Sequence, residues 1–115
     1  MVAKTGAELV AEAKSAVHTC SVEKAAELIR GGAFLLDVRE PAEFQAASIP
    51  GATNVPRGIL ESKIAEVCDE PARQIVVHCL SGGRAALAAQ TLGVMGYSDV
   101  VSVDGAFADL QEACR

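Results

Sequence analysis

The chain has 115 residues, a length typical of one domain. Half of its residues are hydrophobic and 22% are charged, a balance that excludes general disorder. The formal net charge is −5 and no basic patch is visible, which argues against a nucleic-acid partner.

Two helices are predicted before the first strand. The stretch Thr5–Glu8 carries a capping-box signature, and apolar residues at helical spacing then predict a helix from about Gly6 to Val17. Ser21 is a second helix-start signal, and the glycine pair at Gly31 is the corresponding stop.

Strands and helices alternate through the rest of the chain. Helices are predicted after Pro41, at about 59–68, at 84–95 and after Gly105. Such alternation implies βαβ units, a mostly parallel sheet and helices on both of its faces. The predicted strands are Phe34–Val38, Ala52–Val55, Ile75–Cys79 and Val100–Val103.

Cys79 ends the clearest predicted strand, at the sheet edge where ligands bind in folds of this class. Gly82 and Gly83 let the following loop curl so that its amides point inward, and a helix then presents its positive end near Arg84. These features favour a thiolate and would also hold a small anion or a persulfide. The alternative is a buried thiol beside an ordinary turn.

The spacing of the loop distinguishes between classes of reaction. Cysteine-based phosphatases carry His-Cys followed by five residues and Arg, because their loop must encircle a phosphate. This chain has His78-Cys79 but only the four residues 80–83 before Arg84. The shorter loop suits a sulfur atom better than a phosphoryl group, so a phosphatase or arsenate reductase is disfavoured.

Three segments of the chain carry a family resemblance. Cys79–Arg84 resembles the active-site loop Cys-x-Ser-Gly-x-Arg of single-domain rhodanese-like sulfurtransferases. Leu36–Phe44 is similar to the family's Asp-Val-Arg-x-x-x-Glu-Phe segment, and Ile49–Pro56 to its Ile-Pro-Gly-Ala-x-Asn-Val-Pro segment. The resemblance runs from about Ser21 to the C-terminus, so we expect a rhodanese-like domain at 21–115 and a helical extension at 1–20.

The resemblance implies a three-layer sandwich around a mostly parallel sheet of about five strands, and a sulfurtransferase that needs no cofactor. The Cys79 thiolate would take the outer sulfur of thiosulfate or a polysulfide as a persulfide and pass it to cyanide or a thiol, including a protein thiol. Cys79 is then the catalytic residue and Asp37 a structural support. The expected substrate-binding residues are Leu80, Ser81, Gly82, Gly83, Arg84 and Arg39.

Three positions depart from the family pattern. Ser48 stands where His is common, Ala85 where Ser often follows the loop arginine, and Leu110 where Trp is usual. The first two alter the surroundings of the loop, and the third concerns packing. A second hypothesis stays open beside the sulfurtransferase: a persulfide carrier or binding module that relays sulfur to a partner protein with little turnover of free thiosulfate.

The other polar residues have structural interpretations. Asp37 is expected to pair with Arg39 or Arg84, because buried charges are usually paired. His78 should point away from its strand neighbour Cys79, which makes it a poor general base.

The remaining cysteines and the chain start add no further function. Cys68 is expected in the core, while Cys20 and Cys114 have no assigned role. No Cys-x-x-Cys pair occurs, so we expect no metal site. No targeting signal or membrane span is visible, so we expect a cytoplasmic protein with no membrane partner and leave the oligomeric state open.

Overall fold

The computed structural model describes residues 2–115. Every predicted helix and strand is present there, and the ends agree to within about one residue. The elements in chain order are α1 (Gly6–Ala16), β1 (His18–Cys20), α2 (Val22–Arg30), β2 (Phe34–Asp37), α3 (Pro41–Ala46), β3 (Thr53–Asn54), a 3₁₀ turn (Arg57–Ile59), α4 (Leu60–Val67), β4 (Ile75–His78), α5 (Gly83–Met95), β5 (Val100–Val103) and α6 (Phe107–Ala113).

The five strands form one parallel sheet in the order β1-β5-β4-β2-β3. β4 lies at the centre, with Leu36 of β2 opposite Val77 and Val101 of β5 opposite Val76. All four residues of β4 are buried, as expected for a strand that is covered on both faces. The predicted α/β class with a mostly parallel sheet of about five strands is confirmed.

Alternate residues along the strands build two hydrophobic layers. Leu36 and Val77 pack with α4 and α5 on one face, where Ala85 and Ala88 let α5 approach the sheet closely. Leu35 and Val76 pack with α2 and α6 on the other face. The three-layer arrangement holds the carboxyl ends of the strands at one edge, where the Cys79 loop begins.

The strand β1 was not predicted. It has three residues between two helices, two of them exposed, so no alternation of apolar and polar residues marks it. Its pairing with β5, with His18 opposite Val101, is what makes it a strand. The segment up to residue 20 thus adds an edge strand to the sheet and a helix, α1, that packs on α5. The division of the chain at residue 20 stays a prediction.

None of the helices in residues 2–115 combines the length and hydropathy needed to cross a membrane. In the same residues, no group of three or more His, Cys, Asp or Glu side chains is arranged to hold a metal ion. The expected lack of a metal stays a prediction.

His78 is buried on the face of the sheet opposite to Cys79, as expected from strand geometry. Its ring stacks on Phe107 with centroids 5.8 Å apart, and its Nε2 lies 3.6 Å from Oδ2 of Asp37. Burial lowers the pKa of His78, and the nearby Asp37 carboxylate offsets this in part. The imidazole is therefore neutral in the folded protein at neutral pH.

A neutral buried imidazole makes stability depend on pH. Unfolded His78 takes up a proton near pH 6.5, whereas the folded form resists it, so the free energy of unfolding should fall as the pH drops through about 6.5. We expect a slope of up to about 1.4 kcal/mol per pH unit between about pH 7.5 and pH 5.5 in urea unfolding. His78→Phe should flatten it, and His18→Gln, at an exposed position, should not. An equal slope in wild type and His78→Phe would contradict the assignment.

Candidate active site

The sulfur atom of Cys79 lies among backbone amides at the start of α5. Its Sγ accepts hydrogen bonds from the N–H of Gly82 at 3.1 Å and from the N–H of Ala85 at 3.3 Å. We call these two donors the amide cradle. The side chain is 3% exposed, so little water competes for the sulfur. Backbone donors and the positive end of a 13-residue helix both favour negative charge on it.

The loop owes its shape to Gly82. This residue has φ +112°, and a Cβ there would lie 3.3 Å from the Val103 carbonyl oxygen. Other residues reach this conformation only at a cost. Leu80 fixes the other side of the loop, because its carbonyl accepts a hydrogen bond from the Phe107 N–H at 2.9 Å. The side chains of Leu80 and Ser81 are exposed at the mouth.

Arg84 forms a two-pronged ion pair with Glu43 of α3. The two guanidinium nitrogens donate to the two carboxylate oxygens at 2.7 and 3.0 Å. These hydrogen bonds, together with one from the backbone N–H of Glu40, lower the pKa of Glu43 to about 2. Both prongs of Arg84 are thus engaged, and the side chain braces the first turn of α5 against α3.

Arg39 is buried and bound to Asp37. Its Nη2 donates to Oδ2 of Asp37 at 2.8 Å and to the Ala47 carbonyl at 2.7 Å. Its guanidinium also lies 3.9 Å from the centre of the Phe107 ring. Of the two expected pairings for Asp37, the structure has the one with Arg39. Direct contact of Arg39 with a substrate stays a prediction.

Sequence reasoning gave no role to Glu43 or Asn54, although both lie in the segments that carry the resemblance. Glu43 follows Glu40 by three residues at the start of a helix, which reads as an ordinary capping pattern. Asn54 donates from Nδ2 to the carbonyls of Asp37 and Arg39 at 3.0 and 2.9 Å and so fixes the turn after β2. Neither contact has a local signal, since its partners lie far along the chain.

The other three cysteines have different surroundings. Cys68 is buried in the core, as expected. Cys20 and Cys114 are half-buried, and burial raises the pKa of both thiols. Within residues 2–115, Cys79 is the one cysteine whose sulfur accepts backbone hydrogen bonds.

The conformation of Gly82 can be tested against a second glycine. Gly82→Ala should destabilise the fold by about 1–2 kcal/mol, because alanine is strained at positive φ. Gly93 lies in the last turn of α5 with open space where a Cβ would be, so Gly93→Ala should stabilise the fold by up to about 0.5–1 kcal/mol. Urea unfolding of both variants measures the contrast. Equal stability of Gly82→Ala and wild type would refute the strained loop.

Comparison of the sequence with known proteins identifies the family of this chain. The rhodanese-like domain matches residues 21–113. Thiosulfate sulfurtransferase GlpE of Pseudomonas syringae is 38% identical over 86 residues, which cover 74% of this chain and 78% of that protein. The putative sulfur carrier protein YrkF of Bacillus subtilis is 31% identical over 102 residues, which cover 87% of this chain; the chain spans about half, 54%, of YrkF.

A solved structure extends the likeness to the whole fold. A Rhodopseudomonas palustris protein of unknown function, described as a possible tyrosine phosphatase, superposes with a TM-score of 0.82 at 27% identity. The match covers 98% of this chain and 93% of that one, so it includes the segment that precedes residue 21. Because the rhodanese-like domain matches residues 21–113 and the Pseudomonas syringae protein is 38% identical over 86 residues, the chain belongs to the rhodanese-like family.

Proposed function

We propose that this protein is a sulfurtransferase that moves a sulfane sulfur from thiosulfate or a polysulfide to a thiophilic acceptor through a persulfide on Cys79. The observation that carries the proposal is the amide cradle, in which two backbone donors meet Sγ at 3.1 and 3.3 Å. The similarity to a protein named thiosulfate sulfurtransferase supports the same chemistry. We expect it to act in the cytoplasm and without a cofactor.

The proposed reaction has two half-steps. The Cys79 thiolate attacks the outer sulfur of thiosulfate, the sulfur–sulfur bond breaks, and sulfite leaves with the electron pair. The product is a persulfide whose terminal sulfur carries the negative charge. Cyanide then attacks that terminal sulfur, thiocyanate leaves, and the Cys79 thiolate is restored. A thiol acceptor would take the sulfur as its own persulfide after losing its proton.

Unpaired amides in the loop suit an anionic donor. Among residues 2–115, the N–H groups of Ser81, Gly83 and Arg84 have no protein acceptor, whereas those of Gly82 and Ala85 bond to Sγ. Free N–H groups at a helix start are common anion ligands. We propose that the backbone N–H groups of Ser81, Gly83 and Arg84 bind the sulfonate-like end of the donor, and that the side chain of Arg84 holds the loop in position.

The second candidate function is a persulfide carrier. The relative named as a putative sulfur carrier favours it, since it matches 87% of this chain. A carrier would load sulfur on Cys79 and hand it to a partner protein, but would turn over thiosulfate and cyanide negligibly. Steady-state thiocyanate formation therefore separates the two functions.

A phosphatase is the weaker reading of the same fold. The similar structure described as a possible tyrosine phosphatase is the observation in favour of this function. The loop argues against a phosphatase, because only four residues separate Cys79 from Arg84. Two of its amides also donate to the sulfur atom of Cys79. Hydrolysis of an aryl phosphate that depends on Cys79 would revive it.

The persulfide can be detected directly by intact-protein mass spectrometry. After incubation with thiosulfate, the wild type should gain the mass of one sulfur atom, and cyanide should remove it. Cys79→Ser should gain none, because it lacks the nucleophile. Cys114→Ser, which alters a half-buried thiol away from the loop, should load like wild type. If wild type stays unmodified by thiosulfate and by polysulfide, the proposed function fails.

The bracing role of Arg84 predicts an effect of geometry rather than of charge. Arg84→Lys keeps the charge but cannot make two parallel bonds to Glu43, so sulfur loading should slow about tenfold, or ~1.4 kcal/mol in the barrier. Arg115→Lys alters another arginine–glutamate pair, exposed at the C-terminus, and should leave the loading rate unchanged. Intact-protein mass spectrometry of samples stopped at successive times after addition of thiosulfate measures the loading rate of both variants. Full activity of Arg84→Lys would exclude the bracing role.

A further inference from the structure

The helix α1 contacts the active-site loop at both of its glycines. A Cβ built on Gly83 would lie 3.4 and 3.6 Å from the two methyl carbons of Val10. A Cβ on Gly82 would lie 3.6 Å from Nζ of Lys14. Val10 and Lys14 are one helical turn apart on the same face of α1, so one side of this helix lies along the loop.

Lys14 also joins α1 to the turn after β5. Its Nζ donates to Oδ1 of Asp104 at 3.0 Å, and the same oxygen would lie 3.5 Å from a Cβ on Gly82. The backbone N–H of Asp104 in turn donates to the Cys20 carbonyl of β1. Gly82 therefore sits between α1 on one side and the end of β5 on the other.

Val10 bounds the space next to position 83. In the loop pattern Cys-x-Ser-Gly-x-Arg, this position is one of the two that vary. Here a methyl group would lie in ordinary van der Waals contact with Val10, at 3.4 and 3.6 Å, so α1 packs directly against the start of α5 at this position. The start of α5 is thus in contact with a helix that lies outside residues 21–113, the part of the chain that matches the family.

We propose that Val10 and Lys14 are positioning residues of the active site, which hold the loop glycines so that the amide cradle stays aimed at the Cys79 sulfur. The inference rests on the proposed role of Cys79 as a nucleophile. It gives the segment before residue 21 a role at the active site, in which α1 packs against the loop and limits its movement.

Geometry and charge make opposite predictions at the ion pair. If Lys14 acts by fixing the loop, removing either member of the ion pair loosens the loop. Lys14→Met and Asp104→Asn should then both lower the reactivity of the Cys79 thiol. If Lys14 acts through its charge, Asp104→Asn would leave an unbalanced cation beside the loop and should make Cys79 more reactive. The positioning role predicts the first outcome.

The test is the rate of Cys79 alkylation by iodoacetamide as a function of pH, with the modified cysteine located by peptide mass mapping. Val10→Ala, Lys14→Met and Asp104→Asn should each slow alkylation near neutral pH about three- to tenfold and shift the pH profile upward, because the thiolate is the reacting form. Val10→Thr keeps the branched shape and should keep the wild-type profile. Leu9→Ala and Lys4→Met change exposed residues on or beside α1 and serve as controls.

The outcomes separate this inference from the proposed function. Wild-type Cys79 that reacts no faster than glutathione would overturn the proposed nucleophile and the inference with it. A reactive wild type whose profile is unchanged in Val10→Ala and Lys14→Met would overturn the inference alone. Faster alkylation of Asp104→Asn would overturn positioning by Lys14 in favour of a charge effect. Thermal unfolding of each variant checks that the fold is retained.

Discussion

Two backbone hydrogen bonds to a single sulfur atom organise the carboxyl edge of this sheet. The N–H groups of Gly82 and Ala85 reach Sγ of Cys79 only because the chain reverses within a few residues of β4. That reversal needs the left-handed glycine, a helix that starts at once, and a sheet rigid enough to present the cysteine. The buried β4, covered by helices on both faces, supplies that rigidity.

The arginines near the site are held by carboxylates rather than left free. Arg84 is bound by both oxygens of Glu43, and Arg39 is buried against Asp37. Positive potential around the sulfur therefore comes mainly from backbone amides and the end of α5. Such donors are fixed by the fold and need no reorganisation when a negative charge moves from one sulfur atom to the next.

Sequence patterns predicted those parts of the molecule that have local causes. Phe34–Asp37 and Ile75–His78 are apolar runs bounded by turn signals, and both are strands. Cys79, Gly82 and Arg84 are close in sequence, so their loop was visible too. What could not be predicted depends on distant partners: β1 exists through pairing with β5, and Glu43 acquires its role from an arginine on another helix.

The edge strand β1 also depends on a partner that is distant in sequence. β1 is held on one side only, by β5, whose outer edge it covers. Any opening that frees residues 6–20 leaves β5 with a row of unpaired N–H and carbonyl groups, which is a template for another strand. The nearest complementary strand in a concentrated solution is the β1 of a second copy. The N-terminal segment therefore also shields the fold from exchange of strands between molecules.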